Sequence, residues 1–527
     1  RIHSVGCRSV GVRIMPIWAP AFFGSGAGGA SGYVVENSLW FDGSADYLTR
    51  TPSSAGNQQI WTLSWWQKKT WTGVSSPGFW GVGDLNFSSG NANDWIFYDN
   101  GDHINIQLSD ASSGTDANMT SALDDRDPTA WVHWIVAVNT TLSTASERVR
   151  VYRNGTEVTD FGSPTDPTQS INCRTNGTDQ HVIGGGVTNS SNWWSGYLAE
   201  IIMVDGAQEV PADFGELDDN GVWVPIDPSG LTFGTNGFLL QFKQNGSGQN
   251  SSGIGADTSG EDNHWAVGGG AVNTNQVTDT CTDDADNNIG NYATLNPLDP
   301  LSHTLSEGNL KATAGATGRA NYGTIAIPTT GKWYWEAKVI SQSPNQGAVG
   351  IKLLSSIVST NAEFSGSGGY GMFQANNSGL NGHYFENSGT TVPGGGASQN
   401  ITWAVNDIVN IAYSADDGKI WFGKNNTYYS NFTNGTSTTV GGSSNFGSIP
   451  SGVYVPAVSG TNGGGASAYL FNFGSNAFSY TPPTGYKAIK TADLPAPTVT
   501  DPSKYFQTVI YTGDTNNNRN ITGFQDA

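Results

Sequence analysis

The sequence predicts an all-β protein made of tandem antiparallel β-sandwiches. Apolar and polar residues alternate over many short runs, for example in Ser38–Arg50 and in 406–425, and a period of two is typical of half-buried strands. The dipeptides Asn154-Gly155 and Asp417-Gly418 readily supply the positive φ angles that tight hairpin turns need. A helical period of 3.6 is nearly absent.

Length and composition limit the classes of function. A chain of 527 residues suits two or three domains, and its 18 Trp, 19 Tyr and 22 Phe can fill more than one core. The formal net charge of -21 disfavours binding to nucleic-acid phosphates or to anionic membranes. We therefore expect no nucleic-acid partner. We also expect no membrane insertion, since no run reaches the ~18 apolar residues of a membrane span.

Residues 33–243 form the first β-rich unit. It includes the alternating run Ser38–Arg50, the continuously apolar run Trp131–Val138 and the closing run Ser195–Asp205. The ordered motifs S-L-x-F-D-G-x-x-D-Y-L, V-x-V-Y-x-N-G and G-Y-L-A-E-I resemble a laminin-G-like or concanavalin-A-like jelly roll. That resemblance implies a two-sheet sandwich, in a fold that serves lectins, adhesins, enzymes and spacers alike.

Residues 309–488 form the second unit. Its motifs, in order, are G-K-W-Y-W-E, D-I-V-x-I-A-Y-x-x-D-D-G-K-I-W-F, Y-V-P-A-V and F-N-F-G. This order resembles a SPRY domain, which implies a bent β-sandwich that binds partners through loops and is not known as a catalyst. Alternation places five hairpin residues on one face of each strand: Val409, Ile411, Tyr413, Ile420 and Phe422.

Three further segments complete the predicted organisation. Residues 1–32 are a Gly-rich N-terminal segment, and residues 244–308 an extended connector with ordered anchors at His264-Trp265 and Tyr292–Leu295. Residues 489–527 are predicted to be a linker followed by the start of a further β-module.

The pairing of the two modules resembles large virion proteins of marine bacteriophages. Three motifs accompany it, at Asp219–Pro225, Thr235–Phe242 and Asn291–Pro297. In such proteins jelly-roll and SPRY-like modules are strung together and are associated with binding to the host surface. The resemblance, over about residues 15–520, implies a tail fibre, an appendage or a surface protein of a phage particle.

Two aromatic loops are the candidate ligand-binding sites. Asn192, Trp193 and Trp194 lie in a polar run just before the last strand of the first unit, and Tyr384 lies in a comparable run, 376–385, of the second. Exposed tryptophans stack on the C–H faces of sugars while amides bind the hydroxyls. The alternative is that one of the two tryptophans caps the core.

No cofactor is predicted, with calcium kept as an alternative because jelly rolls of this kind sometimes bind the ion with loop carboxylates. Asp42, Asp46 and Asp205 are the candidate ligands, with solvated turn residues as the alternative. The cysteines, Cys7, Cys173 and Cys281, are too far apart to indicate a disulfide framework or a metal knuckle.

Catalysis is not predicted. Laminarinase-type β-glucanases share the jelly-roll fold and carry the motif E-x-D-x-x-E, which sets two glutamates on one face of a strand. The nearest match begins at Glu216 and Asp218, but Gly221 stands where the second glutamate belongs.

These observations predict a non-enzymatic virion protein that helps a phage recognise a host-surface glycan or protein. Its other expected partners are further virion proteins, and a homotrimer is expected only from the context of virion appendages. The alternatives are a purely architectural decoration or tail protein, or a secreted bacterial adhesin.

Overall fold

The prediction of an all-β fold of tandem antiparallel sandwiches is confirmed. The computed structural model describes residues 32–74, 76–83, 93–110, 114–185, 193–270, 272–299, 303–314, 320–341, 347–357, 368–377, 380–387, 390–391, 403–430, 435–437, 448–459 and 467–496. Within these ranges the strands pair antiparallel, and the helical elements are short 3-10 turns. These turns are Ala145–Glu147, Pro211–Asp213, Pro228–Gly230, Val272–Thr274, Leu354–Ser356 and Thr491–Asp493.

The first unit contains strands β1 to β17. In chain order they are Ser38–Asp42, Tyr47–Arg50, Ile60–Lys69, Gly78–Gly83, Asn93–Tyr98, Ile104–Asp110, Gly114–Thr120, Val132–Asn139, Val149–Arg153, Thr156–Glu157, His181–Ile183, Ser195–Asp205, Gly215–Leu217, Trp223–Pro225, Phe238–Leu240, Ala266–Gly269 and Gln276–Val277. An eight-stranded sheet has the order β10-β9-β8-β3-β12-β1-β17, with β15 also on β12. A seven-stranded sheet has the order β16-β2-β11-β4-β5-β6-β7, and the two sheets enclose one apolar core.

The second unit contains strands β18 to β31. They are His303–Ser306, Lys311–Ala314, Ala320–Tyr322, Lys332–Ser341, Ala348–Leu353, Gly369–Asn377, Leu380–Asn387, Thr390–Thr391, Ile408–Ser414, Lys419–Lys424, Thr427–Ser430, Gly435–Ser437, Tyr454–Ser459 and Ala468–Asn472. An eight-stranded sheet in the order β18-β19-β31-β21-β26-β27-β28-β29 faces a six-stranded sheet in the order β20-β30-β22-β23-β24-β25. The five alternating hairpin residues of β26 and β27 lie in the core between them, as expected.

The two hairpin dipeptides form different turns. Asn154 and Gly155 have φ of 46° and 75°, and Arg153 pairs with Thr156, so this is a two-residue turn with both φ angles positive. In the second unit Ser414 pairs with Lys419, which leaves a four-residue loop in which only Gly418 has a positive φ, of 59°.

The segment 244–308, predicted as a connector, is part of both sandwiches. It supplies β16 and β17 to the two sheets of the first unit, and its anchor Trp265 is completely buried in that core. Its other anchor places Leu295 in the core of the second unit. The second core also extends past the predicted boundary at 488, because it includes Ile489.

A buried ion pair fixes this segment to the first sandwich. Lys68 of β3 contacts Asp279 at 2.5 Å, and both side chains are 1% exposed. The ammonium also donates to Asn291 Oδ1 at 2.8 Å and lies 4.9 Å from the centre of the Tyr197 ring. Burial lowers the pKa of Lys68 and raises the pKa of Asp279, and the attraction between the two charges opposes both changes.

We predict that Lys68→Met destabilises the protein by about 3–5 kcal/mol, because it leaves Asp279 charged and buried without its cation. Denaturant unfolding of the variant and the wild type measures the difference. The double variant Lys68→Met, Asp279→Leu should recover much of the loss. A single variant as stable as the wild type would contradict the structural role of the pair.

A second buried acid lies where β12 changes neighbour. β12 pairs with β1 up to Leu198 and with β15 from Ile201, and Glu200, at a bulge between them, has a positive φ of 41°. Its carboxyl accepts a hydrogen bond from the Tyr33 hydroxyl. Burial raises the pKa of Glu200 to about 8, with Asp227 raising it further, and the Tyr33 bond opposes the increase.

The pKa of Glu200 predicts a stability that falls as pH rises. Between about pH 5 and 8 the folded chain keeps a proton that the unfolded chain has released, so deprotonation favours unfolding across this window. The free energy of unfolding should therefore decline more steeply in the wild type than in Glu200→Gln. Chemical unfolding at several pH values measures both curves, and parallel curves would show that Glu200 is not protonated in the fold.

Candidate functional site

The two sheets of the first unit differ in what covers their outer faces. Two apolar clusters lie on the outer face of the eight-stranded sheet, one against chain 207–239 and one against Tyr33, Val277 and Cys281. In the ranges described above, no comparable cluster lies on the outer face of the seven-stranded sheet. That face is therefore the candidate binding surface.

An aromatic pair lies at the middle of this face. In β5, Ile96 and Tyr98 point into the core, so alternation directs Trp95 and Phe97 outward, where both are half-buried. Their rings stack with centroids 3.8 Å apart and an angle of 18° between planes. Gly78 of the neighbouring strand makes room, because a Cβ there would lie 2.5 Å from Trp95 Nε1.

Uncharged polar side chains continue the same row across the sheet. Trp95 pairs with the half-buried Gln107 of β6, and Gln107 pairs with the exposed Asn118 of β7. Directly opposed residues of adjacent strands lie about 5 Å apart, so these amides flank the aromatic pair. The arrangement combines an apolar ring face with hydrogen-bonding groups.

A second aromatic pair lies on the same face, toward the edge of the sheet. Leu48 of β2 is in the core, so Tyr47 points outward, and its ring stacks on Trp193 at 5.5 Å with an angle of 28°. Trp193 is half-buried. The structure thus places Trp193 on the outer face of the seven-stranded sheet, and its ligand role stays a prediction.

Trp194 is a core residue, and its predicted contact with a ligand is wrong for this arrangement. The side chain is 0% exposed and packs edge-on against Trp71 and Phe79, at centroid distances of 5.9 Å and 6.4 Å. The alternative, that one of the two tryptophans caps the core, therefore holds for Trp194. Successive residues of an extended chain point to opposite sides, which separates Trp194 from Trp193.

The remaining two ligand predictions are only partly described. Asn192 lies outside the described residues. Tyr384 was expected in a loop, but it lies in β24, where its backbone pairs with Phe373, because β23 and β24 extend through most of 376–385. Only the backbone of Tyr384 is described, and its ligand role stays a prediction.

The three candidate calcium ligands cannot share an ion. Asp42 pairs with Ser195, the first residue of β12, whereas Asp205 is the last residue of the same strand. Ten residue steps of about 3.3 Å separate them by roughly 30 Å. Asp46 lies near Asp42, where its carboxylate accepts a hydrogen bond from Asn275 Nδ2 at 2.8 Å.

Hydrogen-bond donors of the chain itself contact these carboxylates. Asp42 Oδ1 accepts from the backbone of Ser44 at 2.8 Å and of Ala45 at 2.9 Å, as in a turn cap. Among the described residues no group of three His, Cys, Asp or Glu side chains could hold a metal ion.

Asp205 instead lies at a cleft of about 560 Å³ at one end of the sandwich. The other lining residues come from three loops: Ala55, Gly56, Asn57, Gln58, Gln59, Asn172, Gly234 and Thr235. The sequence singled out Asp205 as a calcium ligand but indicated neither this cleft nor Trp95. The signal for Trp95 was weak, since β5 has large apolar residues on both faces.

The nearest match to a glycosidase motif has a structural role. Asp218 accepts hydrogen bonds from the backbone of Asn220 at 2.9 Å and of Val222 at 2.8 Å, which closes the turn between β13 and β14. Glu216 is exposed on β13.

Comparison with solved structures finds similarity at low identity. Domains LG4-5 of the mouse laminin alpha1 chain are 9% identical over 86% of this chain and 95% of that chain, with a TM-score of 0.27. The SPRY domain of human HERC1 is 14% identical over 34% and 96%, with a TM-score of 0.22. The CBM40 of a Ruminococcus gnavus IT-sialidase, solved with alpha2,3 sialyllactose, is 11% identical over 34% and 94%, with a TM-score of 0.23.

Similarity at these TM-scores carries no argument about ligand or function. No protein-family model and no curated protein matches the sequence. No helix in the described ranges is long and apolar enough to cross a membrane.

We predict that Trp194→Ala lowers stability by about 3–5 kcal/mol, the cost of removing a large aromatic side chain from a packed core. Thermal melting measures the loss, and ligand binding well below the melting temperature should stay unchanged. A stable Trp194→Ala variant with weakened binding would restore Trp194 as a contact residue.

Proposed function

We propose that this chain is a non-enzymatic recognition protein that binds glycans on the outer face of its seven-stranded sheet. The observation that carries the proposal is the stacked pair of Trp95 and Phe97 on a sheet face over which the described residues place no apolar cluster. Aromatic rings pack against the C–H faces of sugar rings, and the exposed Asn118 on the same face supplies an amide that bonds to hydroxyls.

Strand position makes this surface suitable for recognition. Trp95 and Phe97 extend from a strand paired on both sides, by β4 and β6, so their backbone is held before any ligand arrives. A preformed site loses less conformational entropy on binding than a loop that must become ordered. Trp193 and Tyr47 extend the aromatic surface toward the sheet edge.

The proposed setting is the particle of a bacteriophage, where the chain contributes to recognition of a host surface. The ordered motifs of both modules support this setting, as does their pairing in one chain. The proposed partners are a host-surface glycan or protein and other virion proteins, in an assembly that includes a homotrimer. Antibody labelling of particles in electron microscopy tests whether the protein lies at the tail or on the capsid.

We predict that Trp95→Ala weakens glycan binding at least tenfold, or about 1.4 kcal/mol, because it removes the stacking face. Glycan arrays with the purified chain identify a ligand, and calorimetry then compares the variants. Trp40→Ala is a matched control, because it also removes a half-buried strand tryptophan, but from the eight-stranded sheet.

Equal losses in Trp95→Ala and Trp40→Ala would point to a general effect on the fold and contradict the proposed face. A wild-type protein that binds no glycan and no host cell would instead favour a purely architectural role.

A further inference from the structure

The cleft at Asp205 is a second concave surface that the aromatic face does not use. It opens between loop 55–59, Asn172 and loop 234–235, at the end of β12. Its volume of about 560 Å³ is within the range of small-ligand pockets.

A single buried carboxylate holds the walls of the cleft in place. Asp205 accepts hydrogen bonds from Asn57 N at 2.7 Å, Asn236 N at 2.9 Å and Asn176 Nδ2 at 3.1 Å. Gly56 lies so close that a Cβ there would be 2.0 Å from Asp205 Oδ2. Three loops that are distant in sequence therefore meet at one residue, which makes the cleft a built feature.

Three amide side chains that line the cleft, those of Gln58, Gln59 and Asn172, are each fixed at one end by a hydrogen bond within the chain. Gln58 Nε2 donates to the Cys173 carbonyl at 2.6 Å, and Gln59 Nε2 donates to the Ser170 carbonyl at 3.0 Å and to Asn172 Oδ1 at 2.9 Å. The opposite ends are the Oε1 atoms of Gln58 and Gln59 and the Nδ2 of Asn172, and they make no hydrogen bond with another described residue. Two fixed acceptors and one fixed donor thus accompany the exposed Thr235 hydroxyl.

We propose that this cleft binds an uncharged, hydroxyl-rich group, of which a single sugar residue is the natural example. Each hydroxyl both donates and accepts a hydrogen bond, and the lining offers both kinds of partner. The lining contains one carboxylate and no Lys or Arg, so an anionic ligand lacks a counter-charge. A bare cation fits poorly, because N–H donors already surround the carboxylate of Asp205.

The cleft and the aromatic face share no residue, so the two sites can be tested separately. A chain with both would hold a glycan-rich surface at two points, and two linked contacts bind more tightly than either alone. This inference therefore goes beyond the proposed function and does not require it.

Saturation-transfer NMR with the methyl glycosides of glucose, galactose, mannose and N-acetylglucosamine tests the cleft. We expect at least one of them to bind the wild type and the Trp95→Ala variant alike. In Ala55→Trp, which fills the cleft from an exposed position, its affinity should fall at least tenfold. Ala122→Trp, at another exposed alanine, is the matched control and should bind normally.

Melting curves establish that each variant is folded, and Thr235→Trp replaces Ala55→Trp if the latter is not. Unchanged binding in the folded blocking variant overturns the proposal, as does the absence of binding by all four glycosides. Loss of binding in Trp95→Ala but not in Ala55→Trp would assign the sugar to the aromatic face alone. Equally strong binding of N-acetylneuraminic acid would overturn the exclusion of anions.

Discussion

The fold of the first unit depends on its eight-stranded sheet, whose central strands are buried on both faces. In β3 and in β12 every residue after the first is buried, although alternate residues of a strand point to opposite sides. One face packs in the sandwich core, so the chain itself must cover the other. The segment after β12 and the predicted connector provide this cover.

The eight-stranded sheet contains two buried lysines whose charges need partners. Lys68 and Lys69 are consecutive in β3, so they point to opposite faces, and both are buried. Lys68 finds Asp279 in the covering segment, and Lys69 donates to the backbone carbonyl of Asp125. A buried charge without such a partner would cost several kcal/mol, so the cover supplies the counter-charge of Lys68 as well as apolar contacts.

The same cover links the two sandwiches. The Tyr197 hydroxyl on β12 donates to the Gly308 carbonyl at 2.7 Å, and Asn309 Nδ2 donates to the Thr70 carbonyl at 3.0 Å. These contacts are at the start of β12, whereas the cleft is at its end. The second unit therefore joins the first at the end of β12 that lies away from the cleft.

Local patterns in the sequence predicted those features that depend only on neighbouring residues of a strand or a turn. Alternation identified the buried face of the 406–425 hairpin, and Asn154-Gly155 identified a two-residue turn, because both signals act between neighbouring residues. The partner of Lys68 and the separation of Asp42 from Asp205 could not be predicted, since both depend on pairings between residues distant in sequence. Trp193 and Trp194 are adjacent residues of the same type, so the sequence does not distinguish them. The path of the folded chain directs Trp194 into the core and Trp193 to the surface.

The central claim is that the first unit binds its ligand on the outer face of the seven-stranded sheet, at Trp95 and Phe97. Hydroxyl-radical footprinting, read by mass spectrometry with and without a glycan identified on an array, tests it directly. Our account predicts that the ligand protects Trp95 and Phe97. Trp40 of the eight-stranded sheet and Trp223, which packs on the outer face of that sheet, should be oxidised as before. Protection of Trp40 or Trp223 with Trp95 unchanged would contradict the account.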